Sequence, residues 1–427
     1  MVTVHVVPER VQQPDLDEAP SDPRRRIDDL RAEVAAAPFI GAGATLEKGL
    51  EYFEGIVDYS LRLAMSDDPH RPHLIRTSGV RRRDDPTSAS AVFRRNGLDN
   101  PDNDYLICSI DPAYDYVVEG ERGTTCEINF QLLDGNYSDR TDAFAANLGI
   151  LASRDVPTEA NGRFTMTLSS EASRATTGLV LPPTTRALIV RQSHVDWGIE
   201  RPGAVRIRRV GDPDPDQVQI DDAYWDRVDT YLHNTIRVWL QFGPGVEATL
   251  AAANGPKNRP YNEGAPPRRT PGGFPDQFSM SGRFKVADGQ ALVVTMVPSG
   301  AAYHGIQLGD YWFTSLHYVH RQSSLNGSQY VRDDDGSVSI VISRSDPGVA
   351  NWLDTCDLDE GFFFVRWQGL ADGVEPPQPT VTLVDLVDLD SGIAGGPVDP
   401  VERSVRVSRR VASFGERERV TREVDFV

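Results

Sequence analysis

The hydrophobic positions of this chain change period along its length, and each change marks a different kind of element. Leu46, Leu50, Phe53, Val57 and Leu61 recur at spacings of four, three, four and four, which predicts a helix with one apolar face. Asp67-Asp68-Pro69 ends it, because proline restricts the residue before it and lacks the N–H that the next turn needs. From Tyr105 to Arg209 the pattern is one of short β-favouring runs: Tyr105–Ile110, Tyr114–Glu119, Thr125–Leu132, Arg163–Leu168, Ala187–Gln192 and Ala204–Val210. Asp-Pro, Glu-Gly, Asn-Gly and Arg-Pro turn signals separate them. A second helix is predicted over Asp222 to Gln241, with Trp225, Val228, Leu232, Thr235 and Trp239 on one stripe. Strands resume at Ser281–Lys285, Gln290–Val297, Tyr311–Tyr318, Ser337–Ser343 and Gly361–Trp367.

Short strands at regular spacing, punctuated by turns, predict a mainly β chain with a few helices. The expected architecture is two antiparallel β-sandwich or jelly-roll-like domains, with helices flanking and linking them. The expected divisions are an N-terminal arm (1–44), a helix plus first β-sandwich domain (45–220), and a linking helix with a long loop (221–280). A second β-sandwich domain (281–370) and a C-terminal tail (371–427) follow. The arm opens with a β-like run, Val2 to Val7, and holds a short helical stretch, Ile27 to Ala37; the tail has room for a short helix around Val401 to Glu416. The stretch 243–277 is rich in Gly, Pro, Asn and Arg, and loops of that length serve as lids or connectors.

Charge narrows the function classes. Forty-four Lys and Arg against 63 Asp and Glu leave a net charge of −19, which repels phosphate backbones and disfavours non-specific nucleic-acid binding. Arg24–Arg26 and Arg81–Arg83 run against the trend, but each is followed by Asp-Asp and reads as solvated loop charge. Three cysteines, Cys108, Cys126 and Cys356, lack C-x-x-C spacing and read as buried thiols in a reducing compartment. With no signal-peptide pattern and no long apolar run, the expectation is a cytoplasmic protein without a membrane partner.

The candidate chemistry falls into two aromatic and polar sets. In the first domain, Arg191, His194, Asp196, Trp197 and Arg201 combine a stacking ring with charged tips, as sugar and aromatic-ring sites do; a tryptophan covering a core edge explains them equally well. In the second, Tyr303, Tyr311, Trp312, Tyr318, Asn351, Trp352 and Arg366 form a comparable set, most of it expected in the core, with Asn351 the member expected to face a ligand. His304, His317 and Asp310 are the candidate acid–base groups. His317 and His320, three apart on an expected strand, point to opposite faces and converge only if the strand ends near Tyr318, so hydrogen-bonded strand or turn histidines are expected and no metal site. Asp333-Asp334-Asp335 before Gly336, and Asp99-Asn100-Pro101-Asp102-Asn103, read first as turn chemistry. No G-x-S-x-G elbow, P-loop, Rossmann fingerprint or H-E-x-x-H occurs, and no cofactor is expected.

Several of these runs resemble a known family. Gly309-Asp310-Tyr311-Trp312-Phe313, Tyr330 to Ser337 with its Asp-Gly hairpin, Ala350-Asn351-Trp352-Leu353 and Phe363 to Arg366 are similar to the domain-of-unknown-function family 1214, with its companion family 1254. Asp99 to Asn103, Tyr116 to Gly123, Val190-Arg191-Gln192, Asp196-Trp197 and Glu200-Arg201-Pro202 resemble its actinobacterial members. The resemblance implies two β-sandwich domains, the second similar to a jelly roll, and a weak link to carbohydrate; it names no reaction.

Three functional readings follow. The leading one is a binding protein that holds an apolar, ring-shaped or carbohydrate-like small molecule between two β domains. The next is a cofactor-independent hydrolase or lyase with a His or Asp base in the second domain. The third is a structural homo-oligomer, with Trp225 and Trp239 facing a partner subunit.

Overall fold

The computed structural model describes residues 14, 16–37, 39–41, 44–80, 84–95, 97–136, 138–140, 145–176, 179–211, 220–240, 261–269, 276–390 and 393–424. The expected strand Val2–Val7, the cluster Arg81–Arg83 and most of the stretch 243–277 lie outside the described residues.

Four α-helices are present among the described residues: α1 (Ser21–Ala35), α2 (Leu46–Ser66), α3 (Asp222–Leu240) and α4 (Pro400–Val424). Thr45 starts α2 by accepting a hydrogen bond from the Lys48 N–H, 3.1 Å away, which satisfies one of the donors a helix start leaves free. Ile27, Leu30 and Val34 of α1, Phe53, Ile56 and Val57 of α2, and Tyr224, Val228 and Leu232 of α3 share one core. Trp225 is buried in that core and does not face outward.

The first large sheet has the order Ile75–Arg76, Asn103–Ser109, Ala187–Ser193, Glu127–Leu133, Asn147–Leu151, and every pairing in it is antiparallel. One face presents Ile107, Leu133, Ala187 and Ile189 to the helices. The other presents Cys108, Ile128, Phe130, Leu132, Leu188 and Val190 to a three-stranded sheet of Ala204–Arg209, Tyr116–Glu121 and Arg163–Leu168. Both faces of Ala187–Ser193 are therefore covered, which is why the strand reads as an unbroken apolar run at its start.

Further along the chain, a six-stranded sheet is centred on Phe278–Lys285, Glu360–Gln368 and Tyr303–Gly309. A four-stranded sheet runs Trp352–Asp354, Val338–Ser343, Gln290–Met296, Thr380–Asp385. Phe284, Leu292, Ile306, Ile340, Phe363 and Trp367 lie between them. On its far side the six-stranded sheet gives Phe362 and Phe364 to the same helical core that covers the first sheet. Helices α1–α3 thus pack against both β regions, which also touch each other directly, as through Ser193 and Gln368.

This corrects the expected fold class. The molecule is a mixed α and β fold of several small sheets; among the described residues no sheet closes into a barrel or sandwich, and no jelly-roll order appears. One pairing, Val338–Ser343 with Trp352–Asp354, is parallel. The sequence misled for a physical reason: alternation along a strand reports that a face is covered, not whether a sheet or a helix covers it. A second correction concerns Tyr311–Tyr318, which is not a strand but a series of turns, with Phe313 held at φ 55°. No helix among the described residues is long and apolar enough to cross a membrane.

Candidate functional site

The turns after Tyr303–Gly309 pack against the start of α2, and the two are fastened together. The Trp312 indole N–H donates to the Thr45 carbonyl at 2.9 Å, and its ring lies flat on the helix at Gly49. A Cβ at Gly49 would fall inside the ring, so only glycine admits this approach. Lys48, Glu51 and Tyr52, at i, i+3 and i+4, share the helix face turned toward these turns.

On the turn side stand Asp310, Thr314, His317 and His320. The Asp310 carboxylate accepts from the Thr314 N–H at 3.2 Å and from its hydroxyl at 3.0 Å. The rings of His317 and His320 have centroids 6.4 Å apart. They share one turn and do not face opposite ways from a strand, as the sequence pattern suggested. Arg95, just beyond the Phe93–Arg94 strand, donates through Nη1 to the Ser315 carbonyl and reaches in from a third segment. Cys356 completes the surround at φ 54°, followed by Asp357 at 69°. Among the described residues, two of the six non-glycine residues with positive φ, Phe313 and Cys356, thus border one site, with Asp357 following.

The electrostatics of this group are unusual. Burial pushes Asp310 up to about 6, against the pull of Lys48, Thr314 and Arg95. Burial, then Arg95, draws Lys48 below the ordinary ammonium range, although its Nζ is 3.0 Å from Glu51 Oε2. Burial opposes ionisation of Glu51, but Arg95 and Lys48 outweigh it and hold that carboxyl below its usual value. His317 is depressed to about 4 by burial, then by Lys48 and Arg95, and is neutral at physiological pH. Burial and the Asp310 charge raise the Tyr52 phenol well above its usual range. Cys356 is pushed up to about 12, chiefly by burial and Asp354, and remains a thiol.

Many polar atoms here have no partner. Glu51 Oε1, the Tyr52 hydroxyl, Arg95 Nε and Nη2, His317 Nδ1 and His320 Nε2 are all buried without a hydrogen bond. Buried polar groups are nearly always paired, so such a concentration calls for a ligand or solvent. At its rim the side chains of Lys48 and Glu51 are 16% and 25% exposed.

Beneath the site lies a second buried polar region whose charged groups are paired, although His194 Nδ1 and Arg417 Nε there also lack a hydrogen-bond partner. Asp104 binds Arg76, Arg417 (3.1 Å) and His194 Nε2 (2.8 Å), while Glu418 takes Arg76 at 2.6 and 2.8 Å. Burial opposes the Asp104 charge, but Arg417, Arg76 and His194 hold the carboxyl well below the usual range. Asp102 accepts from Trp197 Nε1 at 2.8 Å, the Tyr303 hydroxyl at 2.7 Å and Asn326 Nδ2 at 2.7 Å. Asp99 accepts from the hydroxyls of Ser315 and Tyr318 and stands next to the site itself.

Of the candidates from sequence, Asp310 and His317 meet in the site, and Trp312 forms its wall. His304 lies elsewhere, with Nδ1 2.9 Å from the Tyr330 hydroxyl and its ring 5.3 Å from that of Trp367; burial, then Arg332, lowers it to about 3. Trp197 and Tyr303 are bound to Asp102 as described. Arg191 donates to Gln277 at 3.0 Å, Arg366 to Gln307, and Asp196 caps the turn at Gly198. Asn351 secures Val331 through both its N–H and its carbonyl, and Trp352 Nε1 donates to the Ser343 carbonyl. These ligand candidates lie apart from the Lys48–Asp310 group. Among the described residues no set of three or more His, Cys, Asp or Glu is placed to hold a metal. Two surface clefts also lie away: one of about 350 Å³ beside Arg154, Asp276 and Phe278, and one of about 550 Å³ beside Asp85, Glu416 and Arg419.

Sequence reasoning missed Lys48, Glu51, Tyr52 and Arg95. One signal was present. The chain has three lysines among its 44 basic residues, and Lys48 occupies the first turn of a helix, where the dipole disfavours a cation.

No family model matches the chain, and no curated protein matches it. Among solved structures, an uncharacterized protein from Burkholderia cenocepacia superposes with a TM-score of 0.69 at 24% identity, covering 86% of this chain and 97% of that one; the two share a fold. A protein from Vibrio parahaemolyticus aligns over 84% of this chain and all of its own length, at 12% identity and a TM-score of 0.40.

Proposed function

We propose that the chain is a cofactor-independent acid–base enzyme, a hydrolase or lyase, working at the junction of α2 and the turns 310–320. One observation carries the reading: polar atoms without partners, contributed by three distant segments, surround a buried carboxyl whose pKa is raised to about 6. A carboxyl near that value both takes and returns a proton at neutral pH, as general acid–base work requires. In this reading Asp310 accepts the proton from water or from carbon. Lys48 and Arg95 stabilise the negative charge that develops, and Tyr52, His317 and His320 orient the reacting molecule. The aromatic sets expected to grip a ring-shaped ligand have their polar tips engaged internally, so they support a binding role less well. The resemblance to family 1214 remains a proposal of kinship and adds no reaction.

The test is direct. Wild type and Asp310→Asn are incubated with a mixture of small esters, amides and hydroxy acids, and consumption is followed by mass spectrometry. Wild type is expected to consume at least one compound, and the folded variant to do so at least about a hundredfold more slowly. Equal turnover by both, or none by wild type, refutes the proposal.

A further inference from the structure

We infer that this site takes a substrate bearing an oxyanion, a carboxylate or a phosphate, gripped by the Nε–Nη2 edge of Arg95. The inference rests on the acid–base reading above and adds the chemical class on which the site acts.

Arg76, Arg94, Arg95 and Arg417 are each 2–3% exposed. Arg76 meets Asp104 and Glu418, Arg417 meets Asp104, and Arg94 lies 3.2 Å from Asp58. Arg95 makes no ion pair among the described residues; its single hydrogen bond goes from Nη1 to a backbone carbonyl. Nearby carboxylates influence it from a distance: burial opposes its charge, and Glu51, Asp99, Tyr318 and Asp310 together keep it protonated. Each of those carboxylates is already engaged, Glu51 by Lys48, Asp99 by Ser315 and Tyr318, and Asp310 by Thr314. Those carboxylates offset its charge at a distance, but its Nε and Nη2 are buried without acceptors, a cost that a bound anion would relieve.

Geometry says which anion. The guanidinium lies over the Phe93 ring at 5.0 Å and the Tyr318 ring at 5.9 Å, which fixes its plane. With Nη1 occupied, the free atoms are Nε and Nη2, and their N–H bonds run parallel. Two parallel donors on a fixed plane match two oxygens of a carboxylate or phosphate, and a neutral carbonyl fills only one of them. The Tyr52 hydroxyl, buried and unpaired, supplies another donor in the same group. A chain of net charge −19 otherwise repels anions, so this local arrangement is a departure from the molecule's own field.

Ligand-observed NMR on the full chain tests the inference with acetate, malonate, inorganic phosphate and acetamide, the last being the neutral counterpart of acetate. At least one anion is expected to bind saturably, with acetamide at least about tenfold weaker than acetate, and phosphate against the carboxylates tells which oxyanion is preferred. Arg95→Lys keeps the charge and loses the fork, and is expected to weaken the anion by about tenfold or more. Asp310→Asn is expected to hold or tighten it. Acetamide binding as well as acetate, no anion binding, or an unchanged Arg95→Lys overturns the inference. If Arg95→Lys does not fold, the acetate–acetamide comparison on wild type decides alone. Anion binding at Arg95 with turnover indifferent to Asp310 defeats only the acid–base reading; Asp310-dependent turnover of neutral compounds, with no anion bound, defeats only this one.

Discussion

Asp310→Asn tests the central claim through stability, with no substrate needed. The exchange is nearly isosteric: the new Oδ1 still accepts the Thr314 N–H at 3.2 Å, and the Thr314 hydroxyl, 3.2 Å from the other oxygen, turns to accept from the amide. What disappears is the titration. Burial moves the carboxyl from 3.8 to about 6, and a shift of about two units corresponds to roughly 3 kcal/mol of preference for the neutral form. The sign follows from linkage. The native state holds this proton more tightly than the unfolded chain does. The contribution is therefore fully present below about pH 4 and lost as the pH rises through about 6, leaving a penalty above pH 7. The asparagine variant escapes that penalty. Urea unfolding of both proteins, followed by tryptophan fluorescence at pH 4 and pH 7.5, gives a double difference in which all other titrations cancel. The variant should gain about 2–2.5 kcal/mol on wild type between the two pH values, since part of the unfolded carboxyl is already ionised at pH 4. A double difference under about 0.5 kcal/mol would mean that Asp310 ionises as freely inside the protein as outside, and the raised carboxyl would have to be abandoned.

Gly49→Ala drives a methyl into the Trp312 ring and should cost about 1–3 kcal/mol while separating α2 from the turns 310–320; near-UV circular dichroism and the melting temperature report it, and an unchanged spectrum counts against the close approach. Glu418→Gln removes one of the two carboxylates that neutralise Arg76 and Arg417, and should destabilise by about 3 kcal/mol or more in thermal melts at pH 7; an unshifted melt would show that Asp104 suffices alone. His304, lowered to about 3, favours the fold above pH 6.5, and that support is lost as the pH falls from 6.5 toward 3. His304→Phe should therefore flatten the acid limb of the stability profile, and a limb parallel to wild type would contradict the depressed histidine.

The helices were legible because their signal is local. Five apolar residues on one stripe place α2, and its cap at Thr45 follows from the same stretch. Most strands of the first half were readable for the same reason, but the layer facing each strand depends on distant chain and was not. The turns 310–320 show the limit most clearly. Tyr311-Trp312-Phe313 has the composition of a strand, yet Phe313 takes positive φ because Trp312 is captured by Thr45, 267 positions earlier. Lys48 and Arg95 were invisible as partners of Asp310 and His317 for a related reason: three segments meet only after the helices have packed against both β regions. Asp310 and His317 were found on residue type alone, which also raised His304, whose strand carries it into a different core.

The charge pairs beneath the site impose an order on biosynthesis. Arg76 is made 342 residues ahead of Glu418, and at ordinary elongation rates it waits roughly 20 to 70 seconds for that counter-ion. Asp104 waits nearly as long for Arg417, which lies 313 residues further on. Until α4 leaves the ribosome, Arg76 and Asp104 have each other, and His194 joins them, but the second anion and second cation that complete the cluster are missing. The early half therefore reaches its full charge balance only when α4 has been made. A chain cut short upstream of α4 would leave Arg76 without Glu418 and Asp104 without Arg417.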